Sequence, residues 1–158
     1  MNAPAQQALT SSTTVDVQGR RIHLTEAGQG PVLLMLHGGG PGASGRSNYS
    51  RNVLALAERF RVIVPDLPGY GSSSKGIKAQ DPFGDLANSM LGLLDVLQID
   101  RAHVMGNSLG GACALRMALD RPERVGRLVL MGPGGVGISE SKPTDGLKRL
   151  DRREDARP

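Results

Sequence analysis

The sequence is poor in cysteine and in aromatic residues: of 158 residues one is Cys, none is Trp, two are Tyr and two are Phe. A single thiol rules out a disulfide framework and a thiolate zinc cluster. Cys113 lies among small residues and reads as a buried, inert core thiol. With so few rings to stack nucleobases, the net charge of +4 does not point to a nucleic-acid partner. The densest charge, Lys142 to Arg157, is interleaved with Asp145, Asp151, Glu154 and Asp155 and reads as a solvated tail. No apolar run approaches the length of a bilayer span, and Met1 to Thr14 lacks the apolar centre of a signal peptide. The expectation is a cytoplasmic protein without membrane contact. Histidine is scarce too: His23, His37 and His103 are all there is, and none follows position 108.

Glycine and proline are plentiful, at 22 and 10 residues, which suits an α/β protein with many tight strand-to-helix turns. Residues 1–12 read as a flexible N-terminus, 13–138 as the α/β core, and 139–158 as a polar charged tail. Thr13 to Val17 and Arg20 to Thr25 are β-rich runs around Gln18-Gly19, which predicts an antiparallel hairpin. Pro31 to Leu36 is continuously apolar and ends in glycines, the mark of a strand buried on both faces. Val53, Leu56, Ala57 and Phe60 recur at helical spacing, with Ser47, Asn48 and Ser50 available as caps. Arg61 to Pro65 is a further strand. Asp81 and Pro82 start a helix whose buried stripe is Phe83, Leu86, Ala87, Met90, Leu94 and Leu97. Ala102 to Met105 is a strand, Leu109 to about Asp120 a helix stopped before Pro122, and Arg127 to Met131 a last strand. Strands alternating with helices imply a mostly parallel sheet flanked by helices.

Gly106-Asn107-Ser108-Leu109-Gly110 stands between an apolar strand and a small-residue helix. A strand turning sharply into a helix while presenting one side chain needs small flanking residues, and the helix N-terminus offers free N–H groups to a developing oxyanion. Ser108 is therefore the candidate nucleophile of a nucleophile elbow. His37-Gly38-Gly39-Gly40-Pro41-Gly42 follows the first apolar strand, and its glycines let backbone approach a ligand closely. It lacks the Gly-Lys-Ser/Thr ending of a phosphate loop. His37 sits within the turn and reads as a hydrogen-bonding turn residue rather than a base.

Together with Ser47-Asn48-Tyr49 and Met131-Gly132-Pro133-Gly134-Gly135, these motifs resemble the meta-cleavage product hydrolases, carbon–carbon bond hydrolases of aromatic and steroid-ring degradation. Prolyl iminopeptidases share a His-Gly-Gly-Pro-Gly loop, but Asn107-Ser108-Leu109 favours the carbon–carbon group. The likeness covers about Val15 to Leu150. It implies the α/β-hydrolase fold and a 2-hydroxy-6-oxohexa-2,4-dienoate substrate cleaved at C5–C6 into a carboxylic acid and 2-hydroxypenta-2,4-dienoate, with no cofactor and no metal. It also implies Ser108 as nucleophile, the backbone N–H groups of Gly39 and Leu109 as oxyanion hole, and Gly40, Asn48 and Asn107 as substrate-binding residues. Asn48 has a second reading, as the cap of its helix. Arg46 stands where relatives often carry an aromatic residue.

A serine nucleophile needs a base, and the base an orienting carboxylate. In this fold both follow the serine in the chain. His103, five residues before Ser108 on an extended strand, would lie well over ~10 Å away and reads as structural. The expectation is an incomplete fold, with lid and last strands absent and Asp151 to Pro158 out of register: a truncated or frameshifted chain, inactive alone. Its last strand would be an apolar edge open to homo-oligomerisation or aggregation. The alternatives are a non-catalytic α/β fragment acting as a binding or assembly partner, and a general serine esterase.

Overall fold

The computed structural model describes residues 10–135; residues 1–9 and 136–158, which include the charged tail expected at 139–158, lie outside that range. One six-stranded sheet organises the described residues. The hairpin β1 (Thr10–Val17) and β2 (Arg20–Ala27) turns on Gln18 and Gly19, both at positive φ, with Asp16 Oδ1 accepting the Gly19 N–H at 2.9 Å. Two successive positive φ values are what a tight two-residue hairpin needs to match strand twist. Thr10, Ser11 and Ser12 pair with Ala27, Glu26 and Thr25, so β1 starts inside the stretch expected to be a flexible lead-in. Backbone pairing there outweighs a polar, exposed composition.

The sheet continues with β3 (Val32–Leu36), β4 (Arg61–Pro65), β5 (Ala102–Asn107) and β6 (Val125–Met131), in the order β1-β2-β4-β3-β5-β6. The β1–β2 and β2–β4 pairings are antiparallel, and β4, β3, β5 and β6 are parallel. β3 explains the layering. Its side chains alternate between faces, so Leu34 and Leu36 pack into one core and Leu33 and Met35 into another. The first core lies under α3 (Pro82–Val96) and α4 (Leu109–Asp120); the second lies under α1 (Gly45–Tyr49) and α2 (Val53–Ala57). Among the described residues no helix is long and apolar enough to cross a membrane.

α3 begins as its residues predict, with Asp81 accepting the Gly84 N–H at 2.9 Å and Pro82 in the first turn. Its buried face differs from the expected stripe: Phe83 and Leu97 are only half-buried, whereas Leu91 and Leu93 are buried and Asp85 and Ser89 join them. These two polar side chains face Arg20 of the hairpin: Arg20 Nη1 lies 2.8 Å from Asp85 Oδ2, and Arg20 also donates to Ser89 Oγ. Burial alone raises the Asp85 carboxyl, but the Lys78 N–H and the Arg20 guanidinium outweigh it and hold the group below the ordinary carboxylate range.

The region before β4 holds two short helices instead of one. Ser44 caps α1 in a reciprocal box with Ser47, and α2, the helix for which Ser47, Asn48 or Ser50 was the expected cap, has Asn52 at its N-cap position without a side-chain bond. Asn48 lies inside α1 and is not its cap. β6 starts two residues earlier than expected. The ladder to β5 shifts register between Ala102 and Val104, and His103 Nδ1 accepts the Arg127 N–H there at 2.9 Å. His103 is structural, its ring edge-on to Phe60.

Candidate active site

β5 and α4 meet at Ser108, whose backbone sits at φ +49° and ψ −110°. L-residues adopt this region only where the surroundings over-determine it. Two clamps do so. The Ser108 N–H donates to Met131 O at the end of β6 (2.9 Å), and the Ser108 carbonyl accepts from Gly134 (3.0 Å) and Ala112 (3.0 Å). The flanking glycines permit the approach. A β-carbon at Gly106 would strike the Gly110 carbonyl, one at Gly110 would strike the Leu36 carbonyl, and one at Gly111 would stand 2.9 Å from Pro133. The Met131–Gly135 run thus acts mechanically, closing the bend from outside. Ser108 itself is exposed, and its hydroxyl does not cap α4.

The Gly-rich loop arrives from the neighbouring strand, since Leu36 of β3 pairs with Gly106 of β5. His37 is fully buried and bonded at both nitrogens: Nδ1 donates to the Gly38 carbonyl (2.7 Å) and Nε2 accepts the Leu67 N–H (2.9 Å). Because a carbonyl can only accept and an amide can only donate, the proton is on Nδ1. Burial holds its pKa below the usual histidine value. A neutral ring with both nitrogens engaged is a brace, as its place in the turn suggested. Asp66 braces the next loop, accepting from Gly45 (2.8 Å) and Ser72 (2.8 Å). Tyr49, in α1, donates to the Leu36 carbonyl at 2.9 Å, and burial pushes its hydroxyl up to about 12.

Gly38, Asn48, Asn107 and Ser108 come together. Asn48 Oδ1 accepts from the Gly38 N–H (3.0 Å) and from Asn107 Nδ2 (3.2 Å), and a β-carbon at Gly38 would stand 3.6 Å from Ser108 Cβ. Gly39 faces Leu109 and Tyr70: a β-carbon there would stand 3.4 Å from Leu109 Cδ2 and 3.0 Å from Tyr70 Oη. Among the described residues the N–H groups of Gly39 and Leu109 make no turn or loop hydrogen bond to the backbone. Tyr70 escaped the sequence reading; its turn-rich surroundings gave no periodic signal, although its ring packs edge-on to His37 at 5.4 Å.

Gly40, at φ +114°, borders a different space. A cleft of 980 Å³ opens between the Gly-rich loop, the 66–77 loop and the hairpin, lined by Gly40, Arg46, Tyr70, Lys75 and His23 among others, and Ser108 is not on its wall. His23, in β2, shares a hydrogen bond with Thr14. All three histidines of the chain are thus placed in structural contacts or in the hairpin, and none is bonded to Ser108.

Comparison with known proteins agrees with this geometry. The model of the family described as alpha/beta hydrolase fold matches residues 31–155. The chain is 50% identical over 133 residues to a 2-hydroxy-6-oxo-6-phenylhexa-2,4-dienoate hydrolase of Burkholderia cepacia, covering 82% of this chain and 46% of that protein. It is 49% identical over 133 residues, with the same coverage, to a 2-hydroxy-6-oxononadienedioate/2-hydroxy-6-oxononatrienedioate hydrolase of Comamonas testosteroni. Among solved structures, the 2-hydroxy-6-oxo-6-phenylhexa-2,4-dienoate hydrolase of Rhodococcus sp. strain RHA1 superposes with a TM-score of 0.84 at 31% identity, covering 94% of this chain and 54% of that one. The chain spans about half the length of the curated relatives it matches. With its elbow at Ser108, its glycine loop after β3 and these relatives, the chain belongs to the alpha/beta hydrolase fold family and is similar within it to the meta-cleavage product hydrolases.

Proposed function

We propose that this chain carries the nucleophile half of a serine hydrolase acting on a carbon–carbon bond, with a 2-hydroxy-6-oxohexa-2,4-dienoate as substrate. The observation that carries the reading is the convergence on Ser108: an exposed hydroxyl on a strained bend, with the Gly38–Asn48–Asn107 cluster beside it. After the dienol ketonises, a nucleophile adds at the C6 carbonyl. The C5–C6 bond breaks, and one water is consumed overall to give a carboxylic acid and 2-hydroxypenta-2,4-dienoate. Ser108 supplies the hydroxyl, the Gly39 and Leu109 N–H groups receive the charge forming on the C6 oxygen, and Asn48 and Asn107 hold the dienoate's oxygens, with Gly40 lining the approach from the neighbouring cleft. The protein works in the cytoplasm on this small molecule.

Ser108 has no base among the described residues, and no histidine follows it in the sequence. In this reading the 158 residues alone turn substrate over slowly, because oxyanion stabilisation and binding supply only part of the acceleration. Incubating the purified chain with the coloured 6-phenyl dienoate tests it. Slow bleaching that disappears in Ser108→Ala supports the carbon–carbon hydrolase, whereas bleaching equal in both proteins refutes it. Ser108-dependent hydrolysis of 4-nitrophenyl acetate without any effect on the dienoate would indicate a general esterase.

The same missing base favours a second reading, a non-catalytic α/β fragment that binds or assembles. β6 has a neighbour on one side only among the described residues and exposes Val129 and Met131. A homo-oligomer or aggregate through that edge is its expected product.

A further inference from the structure

The two oxyanion donors belong to separate elements. Gly39 follows β3 and Leu109 opens α4, so something must hold them in register. Gly38 is pinned at both ends. Its carbonyl accepts His37 Nδ1–H at 2.7 Å, and its N–H donates to Asn48 Oδ1 at 3.0 Å. That carbonyl shares a peptide plane with the Gly39 N–H. In a trans peptide the two groups point opposite ways, so fixing Gly38 aims the Gly39 N–H.

One backbone N–H then dictates the orientation of two side-chain amides. The Gly38 N–H can only donate, so the Asn48 oxygen must face it. Asn107, 3.2 Å from the same oxygen, must offer its Nδ2. Asn107 is the residue before Ser108, so a single oxygen atom ties the Gly-rich loop to the elbow. Asn48 Nδ2 faces Ser47 Oγ at 3.3 Å. The acceptor of Asn48 is thus filled by protein donors, and a dienoate could receive only a hydrogen from it.

We propose that Asn48 is a positioning residue, whose Oδ1 sets the Gly39 and Leu109 N–H groups relative to each other by bridging Gly38 and Asn107. This rests on the oxyanion-hole reading above and goes beyond substrate contact at Asn48. The bridge needs an acceptor at position 48, whereas a ligand role needs a donor. Asn48→Asp keeps the acceptor and loses the donor; Asn48→Ala loses both.

Amide hydrogen exchange followed by NMR on the full 158-residue chain reads the bridge, and phenylboronic acid reads the hole. In forming its adduct, Ser108 Oγ bonds to boron, the hydroxyl proton passes to buffer, and boron becomes a tetrahedral anion whose oxygen lies where the oxyanion would. The wild type should protect the Gly38 N–H, and Asn48→Ala should exchange it at least about tenfold faster while weakening the boronate-induced shifts of Gly39 and Leu109. Asn48→Asp should keep Gly38 within about twofold of wild type. Gly38 exchange unchanged in Asn48→Ala would overturn the proposal, as would loss of protection in Asn48→Asp while the β-sheet resonances stay intact. A wild type with no boronate response at Gly39 and Leu109 would instead overturn the oxyanion-hole reading, and Gly38 exchange would still decide the bridge.

Discussion

At the scale of the residue, Ser108 combines chemical purpose with conformational cost. Its φ of +49° belongs to a region that costs an ordinary residue about 1–3 kcal/mol. Replacing it with glycine removes both the strain and the hydroxyl. Ser108→Gly is therefore expected to be more stable than the wild type by about 1 kcal/mol, read as a higher urea midpoint, while Ser108→Ala gains nothing. Equal midpoints for the two variants would mean that the bend is not strained. His37 offers a second check. Burial lowers its pKa, so the unfolded chain takes up this proton more readily than the folded one. Stability from this group is whole above about pH 6.5 and is lost as pH falls from there through the lowered folded value. The His37 ring resonances should titrate below about 6.5; a midpoint at or above that value would contradict a ring locked as donor at Nδ1 and acceptor at Nε2.

At the scale of the element, side chains from distant stretches fix how helices and strands meet. Arg20 and Asp85 join the hairpin to α3, with side chains 25% and 7% exposed. Removing one partner of a buried pair leaves the other charge uncompensated, and since Arg20 is partly in water the expected cost of Arg20→Ala is on the order of 2 kcal/mol. The Asp85 carboxyl is held below its usual range, so the contribution is complete above about pH 4 and disappears as pH falls through the depressed value. Urea titrations of Arg20→Ala and wild type should converge at acid pH; a constant gap would show that the pair acts by packing alone. α4 makes a different demand. A β-carbon at Gly110 runs into the Leu36 carbonyl, and neither backbone can yield without moving the elbow or β3. Gly110→Ala is expected to cost about 3 kcal/mol in the same titration, and a cost within about 0.5 kcal/mol would contradict that close approach.

These elements were unequally legible in the sequence. β3, β4, α3 and α4 announce themselves because each is an apolar run or stripe ended by Gly, Pro or a capping Asp, and local chemistry sets their limits. The early start of β1 was hidden because its exposed Thr and Ser residues owe their strand to β2. The cap at Ser44 was hidden because its partner is Ser47 in place of the acidic or amide residue that usually completes such a box. The elbow and the Gly-rich loop were plain as motifs, yet the bridge at Asn48 joins residues 59 apart in the chain, and no local pattern encodes a contact of that span. Asp85 was equally concealed: its buried carboxylate is explained by the Arg20 guanidinium and the Lys78 N–H, both outside α3.

At the scale of the molecule, the described sheet is unsymmetrical. β1 ends it with exposed polar side chains, whereas β6 ends it with Val129 and Met131 at 45% and 38% exposure. An exposed strand edge templates pairing with another chain, and charge on it opposes that; on this face only Arg127 is charged beside Val129 and Met131. Val129→Lys should shift the protein toward monomer in sedimentation velocity, whereas an unchanged distribution would assign any association to another surface. At Ser108 the described residues present an exposed hydroxyl on a strained bend beside the Gly-rich loop, and no histidine among them is bonded to it. The most direct measurement is the rate of dienoate cleavage by the full 158-residue chain as imidazole is added, beside Ser108→Ala under the same conditions. The account predicts a Ser108-dependent rate that rises with imidazole by at least about tenfold, with the variant remaining at background. A wild-type rate that ignores imidazole, or one matched by Ser108→Ala at every concentration, would contradict it.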